Sequence, residues 1–144
     1  DTRLSRGLGD VYKRQPVGLC SWILEKRRAW SDCDGNVESR FSKEDLITTV
    51  MIYWLTQSYG TSARYYYEAV HNPWQPSHSL SPVVQAPTGI MLFEKEVMIQ
   101  PKRWAERYYN LKRWSEFQSG GHFAAAEEPD TVVDDIRVFY RDLR

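Results

Sequence analysis

Cysteine is scarce. Cys20 and Cys33 are the only two in 144 residues, separated by polar positions and forming neither a multi-cysteine framework nor a CxxC pair. That spacing argues against a disulfide scaffold or a thiolate zinc site, so both are expected as reduced thiols. Histidine is nearly as sparse, with three residues. His71 and His78 have no second histidine or cysteine at ligand spacing, so no metal is expected. Neither sign of charge prevails, with 19 basic and 19 acidic residues. No run of like charge is long enough to hold nucleic acid or an anionic lipid surface, and nucleic acid is not an expected partner. No apolar stretch approaches the ~20 residues of a transmembrane helix, and no basic-then-apolar leader is visible, so a soluble chain is expected, and the two reduced thiols make the expected location cytoplasmic. A phosphate-binding glycine loop and a dinucleotide fingerprint are both lacking. There is no internal repeat and no low-complexity tract.

What remains is a chain of one-domain size with ordinary apolar and charged fractions, long enough to bury a core. Residues 10–15 read DVYKRQ, which resembles the conceptual translation of a transposase adapter used in preparing sequencing libraries. Asp1–Gln15 is therefore expected to be non-native. The remainder then holds 15 basic and 17 acidic residues.

Apolar residues at Leu19, Trp22, Ile23 and Trp30 give a helix over Val17–Trp30, ended by the polar turn Ser31–Asn36. That turn, SDCDGN, lacks the alternating ligands and distal glutamate of a calcium loop and reads as a surface turn. Ser42, three residues before Asp45, is a capping pattern for a helix carrying Leu46, Ile47, Val50, Met51, Trp54 and Leu55. Gly60 breaks that period, and Thr61 or Ser62 can cap a second helix through Arg64–Val70, completing an αα-hairpin. His71–Pro87 holds Pro73, Pro76, Pro82 and Pro87, too many fixed φ angles for a regular element, and marks a linker and a domain boundary. Beyond it, Gly89–Phe93 is predicted as a buried strand, Pro101–Tyr109 as a helix and Leu111–Gln118 as a second strand. Such a strand–helix–strand unit implies a parallel pair. A last helix begins at Pro129 and puts Val132, Val133, Ile136, Phe139, Tyr140 and Leu143 on one face, which must cover a sheet.

His122 lies in SGGHFAAAEEP, between the last strand and the last helix. A Gly-Gly pair lets the backbone turn there, and functional groups gather at such carboxyl ends of strands. Alone, a loop histidine is more often a solvated or capping residue, and it is the position after a strand and a Gly-Gly pair that brings the catalytic reading level with that one. Glu96 follows the first strand, so two parallel strands can bring its carboxylate to the His122 imidazole and fix the ring tautomer. Glu94 competes with it, and spacing by itself does not choose. Tyr65, Tyr66 and Tyr67 follow one another on a helix, about 100° apart, so at most one or two can face one cavity. A phenol is protonated at neutral pH and can donate to a developing alkoxide, although aromatics at helical spacing more commonly pack a core.

The segments SGGHFAAAEEP and DIRVFYRDLR, with LFEKEV, PVGLCSWILEK, IYWLT and SARYYYE, resemble the microsomal-type epoxide hydrolases of the α/β-hydrolase superfamily, over nearly all of Pro16–Arg144. The resemblance implies the C-terminal part of an α/β-hydrolase fold. Residues 16–86 would form a helical lid with its connections, and residues 87–144 would carry the last two parallel strands and helices of the core sheet. By the same resemblance, His122 matches the general base and Glu96, in the F-x-x-[DE] pattern, its orienting acid. Tyr66 matches a lid tyrosine in the order Arg64, Tyr65, Tyr66, Tyr67, Glu68. In the family an aspartate attacks the epoxide, tyrosines protonate the leaving oxygen, and histidine-activated water hydrolyses the alkyl-enzyme ester to a diol, with neither metal nor cofactor. The aspartate, its oxyanion hole and the second tyrosine would lie upstream of Pro16, so this stretch alone is expected to be inactive and marginally stable. A small-molecule epoxide and water are the implied partners. Trp54 and Tyr65 are the candidate substrate contacts, suggesting bulky apolar epoxides. An esterase, a haloalkane dehalogenase and a non-catalytic interaction module remain as alternatives.

Overall fold

A computed structural model describes residues 15–141 and Leu143; apart from Gln15, the adapter-like segment lies outside them. The chain forms two compact units, one from residues up to Ala29 with Val37–Gln75, the other from Trp30–Asn36 with Pro76–Arg144.

The first unit is helical. α1, Pro16–Ala29, has proline at its first position, where the missing N–H has no helical partner to lose. Lys26, Arg27 and Arg28 fill its last turn, complementing the helix dipole. α2 spans Lys43–Leu55 and is capped as the sequence predicts: the Asp45 N–H donates to Ser42 Oγ at 3.1 Å, and the Ser42 hydroxyl donates to the Asp45 carboxylate at 2.6 Å. α3, Tyr59–His71, starts earlier than expected. Gln57, at φ 54°, takes the left-handed conformation that ends α2, so the chain reverses before Gly60 rather than at it. Thr61 and Ser62 consequently lie inside α3, donating to the carbonyls of Ser58 and Tyr59 instead of capping. Leu19, Val50 and Tyr59 form the core of this unit, with Cys20, Ile23, Tyr53, Trp54 and Ala63 packed around them.

The second unit is a strand–helix–strand with two further helices: β1 Val84–Lys95, α4 Lys102–Tyr108, β2 Tyr109–Gly121, α5 Ala124–Glu127 and α6 Pro129–Arg141. The strands pair in parallel, as predicted. Both are longer than the apolar runs suggested, and β1 begins inside the proline-rich stretch expected to be irregular. Pro87 is tolerated because the ladder is already irregular there, with a register shift between Val84 and Pro87. Phe93 is buried and stacks on Phe117 at 5.1 Å between ring centroids. α6 packs over both strands. A Cβ on Gly89 would stand 3.0 Å from the Phe139 ring, so helix and strand approach closely there. The same helix buries Asp135, which accepts from Arg113 Nε at 2.9 Å, Arg113 Nη2 at 2.5 Å and Ser115 Oγ at 2.7 Å, all three from β2. α5, a single turn after His122, is too short to carry an apolar period in the sequence.

Candidate active site

Parallel pairing puts the carboxyl ends of both strands side by side, and the register then selects two residues. Phe93 pairs with Phe117 but Lys95 with Gly121, so β2 carries two extra residues over this step. Without that bulge the residue after Lys95 would lie opposite Gly120. With it, Glu96 and His122 each follow directly on a paired residue. Gly120 absorbs the irregularity at φ 107°, a conformation that disfavours a Cβ, and a Cβ there would lie 2.6 Å from the Phe93 ring. Gly121 is needed for a different reason: a Cβ would come within 2.7 Å of the Trp30 carbonyl oxygen and 2.9 Å of the Asp32 nitrogen. The Gly-Gly pair therefore serves a close backbone approach as well as a sharp turn.

His122 Nδ1 lies 2.7 Å from Glu96 Oε1. The same carboxylate oxygen accepts the Val97 N–H at 2.7 Å, which fixes its aim. With Nδ1–H donating to the carboxylate, Nε2 carries the free lone pair and can accept a proton. The His122 side chain is 39% exposed and that of Glu96 25%, so the pair is reachable from outside while partly shielded. Trp30 and Phe123 meet the imidazole edge-on, at 5.3 and 5.2 Å between centroids. Glu94 is exposed and Glu96 holds the histidine, so geometry separates two residues that spacing had left equal.

The turn 31–36 does more than connect. Asp34 and Gly35 have φ of 46° and 81°, and the Asn36 N–H donates to the Cys33 carbonyl, as in a type I′ turn. Cys33 is buried. The Trp30 carbonyl accepts the His122 N–H at 2.8 Å, and the Asp32 carboxylate accepts the Gly120 N–H at 3.0 Å. Glu127 accepts from Asp32 and Phe123 through its two oxygens. Sequence reasoning gave Trp30, Asp32 and Glu127 no part in the site. The D-G pair signals a turn but not what it packs on, and Asp32 stands 88 residues from Gly120.

No family model matches the sequence. Curated relatives do. The chain is 38% identical over 139 residues to epoxide hydrolase 1 of Oryctolagus cuniculus, covering 92% of this chain and 30% of that protein. It is 34% identical over 136 residues to juvenile hormone epoxide hydrolase 2 of Ctenocephalides felis, covering 90% and 29%. Among solved structures it superposes on the juvenile hormone epoxide hydrolase of Bombyx mori with a TM-score of 0.81 at 30% identity, over 96% of this chain and 37% of that one.

The chain is a homologue of the epoxide hydrolases. Its parallel pair and flanking helices are the C-terminal part of an α/β-hydrolase fold. This epoxide hydrolase homologue spans about 30% of the length of the curated relatives it matches.

Of the other sequence-predicted site residues, Trp54, Tyr65 and Tyr66 belong to the first unit, Glu96 and His122 to the second. Trp54 lines a cavity of about 220 Å³ with Leu19, Tyr53, Leu55, Gln57 and Tyr59. Tyr65 and Tyr66 are exposed and meet edge-on at 6.4 Å. Around them, Arg64 Nε donates to Glu68 at 2.9 Å, and this guanidinium, with Asn72, holds the Glu68 carboxyl below its ordinary value. Tyr67 stacks on His71. His78 Nδ1 accepts the Leu80 N–H. Among the described residues no cluster of histidine, cysteine and carboxylates could hold a metal, and no helix is long and apolar enough to cross a membrane.

Proposed function

We propose that this chain supplies the water-activating part of an epoxide hydrolase, which opens an epoxide through an alkyl-enzyme ester and releases a vicinal diol. One observation carries this reading: the 2.7 Å pairing of His122 Nδ1 with Glu96 Oε1 at adjacent strand ends. A carboxylate on one ring nitrogen leaves the other to deprotonate water and stabilises the imidazolium that results. Tyr66 donates its phenolic proton to the oxygen freed by ring opening, a role supported by its place in the Arg64–Glu68 pattern. The nucleophilic carboxylate that forms the ester comes from outside Pro16–Arg144. Residues 16–86 act as the lid, and Trp54 and Tyr65 contribute apolar contacts to a bulky epoxide. The same histidine–acid pair would serve an esterase or a dehalogenase; the names of the relatives and the tyrosine pattern favour the epoxide.

Ester formation needs no base, whereas ester hydrolysis does. His122→Ala in the intact enzyme is therefore expected to accumulate the covalent ester, seen as a stoichiometric mass increase on the protein after mixing with a styrene-like epoxide. Continued turnover by that variant would remove His122 from the mechanism.

A further inference from the structure

Three backbone N–H groups around His122 are tied down, and none of the ties is made by the strand ladder. Gly120 donates to Asp32 Oδ2 at 3.0 Å, His122 to the Trp30 carbonyl at 2.8 Å and Phe123 to Glu127 Oε1 at 2.9 Å. Two of these acceptors sit on one short segment, Trp30–Asp32. That segment is joined to the far side of the histidine through Glu127, whose Oε2 accepts the Asp32 N–H at 2.7 Å, alongside the stacking of the Trp30 ring on Phe123. Glu127 thus spans the two stretches of chain between which His122 is held.

Its burial makes the arrangement informative. Glu127 is 7% exposed, and no buried side-chain polar atom among the described residues lacks a partner. A carboxylate taken out of water is strongly disfavoured unless its oxygens accept hydrogen bonds, and here both do. A helix-capping role for Glu127 would explain the bond to Phe123, its reach back to the start of α5. It does not explain the second oxygen, which is spent on a residue 95 positions away whose own carboxylate fixes Gly120.

We propose that Glu127 is a positioning residue for His122. It acts through the backbone of Trp30–Asp32 and Phe123, setting where the imidazole stands relative to Glu96 and to the ester it must help hydrolyse. The reaction assumed is that of the preceding subsection. Catalytic geometry tolerates displacements of only a fraction of an ångström, so loss of the bridge should weaken the step that uses His122 and spare the step that does not.

The test uses the intact enzyme, with Glu127→Ala and Glu127→Gln. The glutamine keeps the shape and one acceptor but presents N–H to N–H at the other, so it should lose part of the bridge where alanine loses all of it. Single-turnover kinetics separate ester formation from ester hydrolysis, and amide hydrogen exchange reads the loop independently of activity. The expected result for Glu127→Ala is exchange at least tenfold faster at Asp32, Gly120, His122 and Phe123. Ester hydrolysis should be at least tenfold slower, with ester formation within threefold of wild type and Glu127→Gln between the two. Should alanine destabilise the enzyme too far to assay, hydrolysis slowed in the folded glutamine variant, with ester formation spared, carries the same weight. Faster exchange with hydrolysis unchanged would make Glu127 a purely structural bridge, and unchanged exchange would show that it does not hold the loop; either overturns the proposal. If the wild-type enzyme forms no ester at all, the epoxide reading fails, while the exchange result still decides whether the bridge exists.

Discussion

At the scale of single residues, the site rests on how few atoms its loop can accommodate. Gly120 sits at a positive φ against Phe93, and Gly121 passes within contact of the Trp30 and Asp32 backbones. Replacing either by alanine forces the backbone to shift. We expect Gly120→Ala to lower unfolding stability by about 1–3 kcal/mol in urea denaturation, the usual scale for a side chain forced into such a conformation. Gly121→Ala should additionally part the Trp30 carbonyl from the His122 N–H. Glu96→Gln keeps the shape of the acid but removes its charge. It should slow ester hydrolysis by roughly 10²-fold or more, the scale of a general-base contribution, with ester formation little changed. A Glu94→Gln variant behaving like Glu96→Gln would show that the wrong carboxylate had been chosen.

At the scale of elements, α6 is fastened to β2 by one buried ionic cluster. The Asp135 carboxyl is held below the ordinary carboxylate range, chiefly by its hydrogen bonds from Arg113 and then by Ser115, while burial pushes the other way. A carboxyl with a lowered folded value contributes its stability in full above the unfolded value of ~3.9 and loses it as pH falls through the lower, folded one. Wild-type stability should therefore drop more steeply below about pH 4 than that of Asp135→Asn, which has no proton to take up there. At neutral pH the asparagine variant should itself be weaker by about 1–3 kcal/mol, because the Arg113 partner is compromised. Urea titrations of both proteins at neutral and acid pH would check this, and parallel acid profiles would show that Asp135 is not the group responsible. In the helical unit, Ser42→Ala removes an observed cap and should cost about 1 kcal/mol, measured the same way.

At the scale of the whole molecule, the described sheet has two strands, which leaves an outer edge on each. Large apolar side chains are also exposed, among them Val17, Leu55, Val70, Trp74, Met98 and Tyr140. Unpaired edges and apolar surface of this kind promote association. The 144-residue polypeptide produced by itself is expected to self-associate at micromolar concentration, visible as a concentration-dependent mass in light scattering. A monodisperse monomer would show that it closes its own surface.

The amino-acid sequence determined the elements whose causes are local. The Ser42 cap and the proline at the start of α6 are written within a few residues and formed where those residues called for them, and the strand–helix–strand order followed the periodicity, though with both strands longer than their apolar runs. The resemblance to the epoxide hydrolases singled out His122 and Glu96. Only the tertiary structure decided how these two meet, because a two-residue register shift is invisible to any period in the strand. It also decided the places where reading along the chain failed: the start of α3, governed by a positive φ at Gln57, and β1 extending through Pro87. The bracket of Trp30, Asp32 and Glu127 lay furthest out of reach. Hydrogen bonds between segments about ninety residues apart leave no trace in local spacing, since their partners are chosen by packing and not by sequence neighbourhood.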